Sequence, residues 1–228
     1  VKTSVGDIDI TVNYDNSEIT VRKENYSPLD NIDGVFVDNT YSDNSYSVGG
    51  GLRNESTIKD INAGFVGNTS ISKTNAEGGG IFNNNEIHNI NGYFISNTLN
   101  SNNSYAIGGA IANTGLIGDI TADFISNKID SNTGLGGAIY NNNRINSITG
   151  DFIGNSTKKG YAIGGAIYNA ANGGANNPYI GDIKGNFIGN SSADSGGAIY
   201  NLASYDGSKI ANIKSISGDF IGNTASSF

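Results

Sequence analysis

Two apolar patterns interleave along this chain. In the first, Phe36, Phe65, Phe94, Phe124, Phe152, Phe187 and Phe220 each follow an Ile by four residues and a Gly or Ala by two, and each precedes an Asn by three. In the second, a Gly-Gly-x-(Ile/Leu) element ends at Leu52, Ile81, Ile111, Ile139, Ile167 and Ile199. Around each Phe, apolar or small residues alternate with polar ones, as in Ile148-Thr-Gly-Asp-Phe152, which is the period of a strand. No segment carries the 3.6-residue spacing of an amphipathic helix.

Successive Phe residues lie 29, 29, 30, 28, 35 and 33 positions apart, the length of a solenoid or array unit. From the apolar residue of each Gly-Gly element to the next Phe the distance is 13 in four repeats, then 20 and 21. A constant distance means a rigid path, so loops belong elsewhere. The pattern predicts an all-β protein: a parallel β-helix (right-handed β-solenoid) of about seven coils of roughly 29 residues. One strand runs around Gly-Gly-Ala-Ile-Tyr, one around Ile-x-Gly-x-Phe, and a third lies nearby.

Coils stacked about 4.8 Å apart pair their backbones with the coils above and below and place equivalent side chains in columns. The Ile, the small residue and the Phe share one parity and should point inward, the small residue keeping a narrow bore from being overpacked. An inward Asn amide can pair with its own backbone and with the Asn one coil away. Two structural Asn ladders are predicted. One is Asn39, Asn68, Asn97, Asn127, Asn155, Asn190 and Asn223; the other is Asn54, Asn83, Asn113, Asn141, Asn169 and Asn201.

Residues 1–28 depart from the repeat, with strand-like alternation and a local density of charge, and read as an N-terminal cap or degenerate coil. Residues 29–228 form the β-helix repeats. The last two repeats are longer by seven and eight residues, which places loop insertions at 170–179 and 202–212 on the same corner of consecutive coils. Such insertions mark a binding face or drift at an exposed corner. Beyond Asn223 only Thr-Ala-Ser-Ser-Phe remains, so the chain reads as a processed product or an excised segment.

Composition narrows the function. Thirty-three glycines against two prolines would suggest disorder without the repeat. A net charge of −8 offers no basic stripe for phosphates and argues against nucleic acid. The absence of cysteine removes disulfides, thiolate metal sites and thiol nucleophiles. No stretch resembles a signal peptide, and no apolar run reaches the length of a membrane-spanning segment.

Gly-Gly-Ala-Ile at 108–111, 136–139, 164–167 and 196–199, interleaved with Phe-x-x-Asn, resembles the repeat of the chlamydial polymorphic outer-membrane proteins. The resemblance covers about residues 29–228. It implies an autotransporter adhesin passenger: a right-handed parallel β-helix displayed extracellularly on a bacterial surface and acting in adhesion or self-association. A host or bacterial surface protein, a glycan or the chain itself would then be the partner. The first two repeats depart from the pattern, with an extra Gly in place of Ala, and no translocator barrel lies within the sequence.

Catalytic chemistry is sparse. His88 is the sole histidine and reads as a solvent-facing filler. Asp119, Asp123 and Asp151 fall outward on neighbouring coils, where they form solvated charge or a weak Ca²⁺ site. No paired carboxylates or adjacent base complete a hydrolase or lyase centre. The chain therefore reads as no enzyme, with no cofactor, no catalytic residue and no assigned metal residue. A fibre subunit stacking end to end is the alternative, a carbohydrate-active enzyme a distant one, and the lack of a Thr-x-Thr row speaks against ice binding.

Outward columns carry the functional expectation. Tyr140, Tyr168 and Tyr200 follow their core Ile and should stack outward, to meet sugar rings or a protein, or only one another. Val37, Val66, Ile95, Ile125, Ile153, Ile188 and Ile221 follow every Phe. If alternation continues past the Phe they form an exposed aliphatic stripe; if the chain bends there they line a second core face.

Overall fold

The structure, a computed structural model, describes residues 2–5, 8–11, 13–15, 18–20, 22–171, 177–204 and 208–226; for residues 2–20 and 102–104 the backbone alone is described. The described residues contain no helix. The chain winds as a parallel β-solenoid with three sheets, to each of which successive coils contribute one or two strands. The Phe sheet runs from Leu29–Val37 through Thr57–Val66, Glu86–Ile95, Leu116–Ile125, Arg144–Thr149 and Tyr179–Lys184 to Asn212–Ser217. The Ser/Thr sheet runs from Thr40–Asp43 to Thr224–Ala225, and the Gly-Gly sheet from Lys23–Asn25 through Leu52–Asn54 to Ile199–Leu202.

The register is the repeat itself. Phe65 lies beside Phe36 and Phe94, and Ile139 beside Ile111 and Ile167. The seven Phe rings form one file, with centroids 4.7 to 5.0 Å apart and planes within 11° of parallel. They share the bore with the Ile four residues before, with a second inward Ile such as Ile58, Ile87 and Ile145, and with the apolar residues of the Gly-Gly sheet. Burying each such Phe or Ile contributes about 1.5–3 kcal/mol.

The small residue two before Phe has a sharper reason than bore volume. Ala63 and Ala122 do belong to the core, but a Cβ at Gly92, Gly150 or Gly185 would fall about 2 Å from a carbonyl oxygen of the preceding coil. Backbone approach between coils therefore sets the limit there. The first Gly of each Gly-Gly pair has a different cause: Gly49, Gly78, Gly108, Gly136, Gly164 and Gly196 all lie in the left-handed region, with φ from +62° to +72°.

Both Asn ladders are present. In the first, the Asn97 side-chain amide donates to the Phe65 carbonyl (2.8 Å) and to Asn127 Oδ1 (2.9 Å), and the Asn97 backbone N–H donates to the same Oδ1 (3.0 Å). The residue before each ladder Asn is left-handed in every coil, from Asp38 and Ser96 to Gly222. That twist turns the Asn backbone N–H out of the strand ladder, and the neighbouring amide oxygen takes it up. The second ladder links Nδ2 to Oδ1 at 2.7–2.8 Å and starts one coil earlier than the repeat implies, at Asn25.

At the N-terminal end, Lys2–Val5 pairs antiparallel with Ile8–Thr11, and Asn13–Asp15 with Glu18–Thr20. Lys23–Asn25 then joins the Gly-Gly sheet beside Leu52–Asn54. In interior coils the carbonyl before the Gly pair accepts a backbone N–H from the coil above, as Ile107 O does from Gly78. Above Val48 and Gly49 the donor is a side chain: the Arg22 guanidinium donates to both carbonyls at 2.9 Å and lies 3.7 Å over the Tyr41 ring.

Parts of both predicted insertions, 172–176 and 205–207, lie outside the described residues. Their bases touch, with the Ile210 N–H donating to Asn177 Oδ1 (3.0 Å) and the Ala171 N–H to the Leu202 carbonyl (3.0 Å).

Replacing Asn155 by Leu strands the Asn127 N–H and takes the side-chain donor from the Phe124 carbonyl in a fully buried site, while Asn190 Oδ1 keeps only the backbone N–H of residue 155. The expected loss is about 2–3 kcal/mol in urea denaturation. Asn223→Leu, on the partly open last coil, should cost well under half of that; equal losses would refute the ladder as the source.

Candidate interaction surface

Alternation carries through the Phe. Val37, Val66, Ile95, Ile125, Ile153 and Ile188 are all half-buried, Ile221 is exposed, and none of them joins a core cluster. They line up in register, Val66 beside Val37 and Ile95, and Ile153 beside Ile125 and Ile188, so each shields only its neighbours in the stack. The left-handed residue that follows turns the chain away before anything can cover them. The result is an open aliphatic stripe about 30 Å long. Beside it, one residue before each Phe, Val35 and Tyr93 widen the apolar surface in the first coils. Asp123, Asp151 and Asp219 replace them farther on.

The tyrosine column is a correction. Tyr140 and Tyr168 are only 4% and 1% exposed and Tyr200 is half-buried, so they are not the outward contact row that alternation predicts. They do point away from the bore and stack at 5.6 Å. At the left-handed Gly, however, the chain folds sharply, and the residue just before it, Val48, Ile107, Leu135 or Ile163, packs across the corner onto Phe82, Ala112 and the tyrosines. A second, outer apolar core forms there. Its signal was available in the sequence, since the residue before Gly-Gly is aliphatic in four of six repeats.

Glu77 occupies that aliphatic position in its coil, beside Val48 and Ile107. Burial among these neighbours pushes its carboxyl up to about 7, and the Tyr46 hydroxyl that hydrogen-bonds it offsets only part of the rise. Tyr46 is raised in turn, first by burial and then by the adjacent carboxylate. Neither residue stands out in the sequence, because the period alone says nothing of which columns become covered.

The sparse chemistry does not assemble into a centre. Asp119 accepts from the Ser147 hydroxyl (2.7 Å), Asp123 from the Asp151 N–H (2.9 Å), and Asp151 from the Asn186 N–H (2.7 Å). Among the described residues no three Asp, Glu or His side chains come together as a metal-holding group. His88 is exposed, 3.5 Å from Glu86. No helix of the described residues is long and apolar enough to cross a membrane.

Fold and surface together define the class: a parallel β-solenoid repeat protein of about seven turns, its outer columns the sites available for contact. No family model, curated protein or solved structure matches the chain.

The Glu77 environment favours its protonated form in the folded state. The stability this brings is complete below the ordinary glutamate value near 4.5 and is lost as pH rises through about 7. Wild type should lose up to about 3 kcal/mol of stability between pH 4.5 and 8 from this group. Glu77→Gln should remove that pH dependence in denaturant melts; an unchanged profile would contradict the buried carboxyl.

Proposed function

We propose that this chain is a non-enzymatic, secreted or surface-displayed solenoid of a bacterium, an adhesin-like passenger segment that acts in adhesion or self-association. The aliphatic stripe carries this reading. Seven branched side chains in one file, six of them half-buried against one another and Ile221 exposed, form a contiguous apolar strip of the kind that marks protein contact. They belong to neither core, because the bore is filled by Phe and Ile and the outer core lies on another corner. The resemblance of the Gly-Gly-Ala-Ile and Phe-x-x-Asn pair to chlamydial surface passengers supports display outside the cell. The partner is a surface protein, a glycan or a second copy.

A second reading is a fibre subunit whose coils stack end to end. On the last described rung Phe220 is 51% and Ile216 41% exposed, and with Ile199, Ala198 and Ala225 they line an open apolar groove. Another β-coil fits such an end, and repeated end-to-end contact would propagate.

Sedimentation velocity over rising concentration tests the stripe. Wild type should form higher-mass species that Ile125→Asp with Ile153→Asp abolishes, with β-sheet circular dichroism retained. Association that persists in the double variant but disappears with Phe220→Asp would favour the fibre reading. A double variant that unfolds would place the stripe inside the fold.

A further inference from the structure

On the outer face of the Phe sheet, away from the aliphatic stripe, three successive coils form a groove of about 290 Å³. That is near the lower end of the usual range for small-ligand sites. Its centre is the middle coil. There the two outward positions are Leu116, 43% exposed, and Gly118, which has no side chain to offer. The gap at 118 is enforced by the backbone: a Cβ there would lie 2.0 Å from the His88 carbonyl oxygen.

The coils on either side raise polar walls at the same two positions. Glu86 and Arg144 flank Leu116 in register, and His88 and Asn146 flank Gly118. Each wall holds a donor beside an acceptor. Glu86 and His88 stand 3.5 Å apart, and Arg144 Nε donates to Asn146 Oδ1 at 2.9 Å, with the Arg144 guanidinium 4.6 Å over the Tyr179 ring. Asp119 borders the floor, one of its oxygens already accepting from Ser147.

An aliphatic floor between two mixed donor–acceptor walls selects a particular chemistry. A simple anion would meet Glu86 and Asp119, a simple cation would meet Arg144, and an apolar ligand would cut the remaining polar atoms of the walls off from water. A neutral pyranose ring has an apolar C–H face for Leu116 and equatorial hydroxyls, each both donor and acceptor, around its rim. With walls about 5 Å to either side of the middle coil, those hydroxyls reach both. We propose that this groove binds one hexopyranose unit of a neutral glycan. The site is separate from the stripe and stands whether or not the stripe associates.

Saturation-transfer NMR on the whole chain tests it, with the methyl glycosides of glucose, galactose and mannose and with N-acetylglucosamine as probes. At least one should receive saturation at its ring C–H protons with an affinity in the millimolar range, about −4 kcal/mol. Asp119→Ala combined with Arg144→Ala, both on the solvent face, should weaken binding at least about tenfold with an unchanged thermal melt. Leu116→Lys, which puts a charged chain across the floor, should do the same. Silence from all four probes at about 10 mM overturns the proposal. So does transfer that the variants leave unchanged, because binding then lies elsewhere.

Discussion

At the corner after the Phe, the Asn N–H that the turn removes from its strand ladder is taken up by the Asn of the same turn one coil on, and the rest of the structure depends on that exchange. At the corner after each Phe, a left-handed residue turns the chain and takes the Asn N–H out of the strand ladder. The Asn amide oxygen of the next coil accepts that N–H, and the amide nitrogen adds a second donor to the Phe carbonyl of the coil before, fully buried in the interior coils. The exchange works only if successive coils hold the same register. Register in turn puts Phe over Phe and Ile over Ile, so polar satisfaction and apolar packing enforce one another.

Such a molecule presents its surface as columns, and its corners decide which columns are open. The Gly-Gly corner folds tightly enough that the residue before it covers the tyrosines, converting an outward row into a second core. The Asn corner turns away from the Val/Ile row and leaves it uncovered. Two rows with the same alternation in sequence thus have opposite fates. A replacement in one coil, Gly118 between His88 and Asn146 or Glu77 between Val48 and Ile107, makes a local feature in an otherwise uniform column. Distinct chemistry in this fold therefore comes from exceptions to the repeat.

The two ends show what the exchange costs when one partner is absent. At the N-terminal side Arg22 replaces two backbone donors with one guanidinium, because its planar array of N–H groups can reach two successive carbonyls, while the Lys23 N–H donates to the Gly51 carbonyl. At the other side the last described rung keeps the residues of an interior coil, and Phe220 and Ile216 meet solvent there.

By itself the sequence determined the coil number, two of the three sheets, the inward Ile and Phe, and both Asn ladders, since each recurs at fixed spacing and a column needs nothing more than recurrence. The Ser/Thr sheet was only dimly legible: its inward column reads Tyr41, Ser70, Leu99, Ile129, Thr157 and Ser192, and no period survives such a mixture. The start of the second ladder at Asn25 was hidden because its coil lacks the Gly-Gly element. What the tertiary structure alone decided is coverage: the tyrosines inside an outer core, the Val/Ile stripe outside it, and Leu116 as the floor of a groove. Alternation tells which side of a strand a residue takes, whereas burial depends on how sharply the next corner brings another segment over that side.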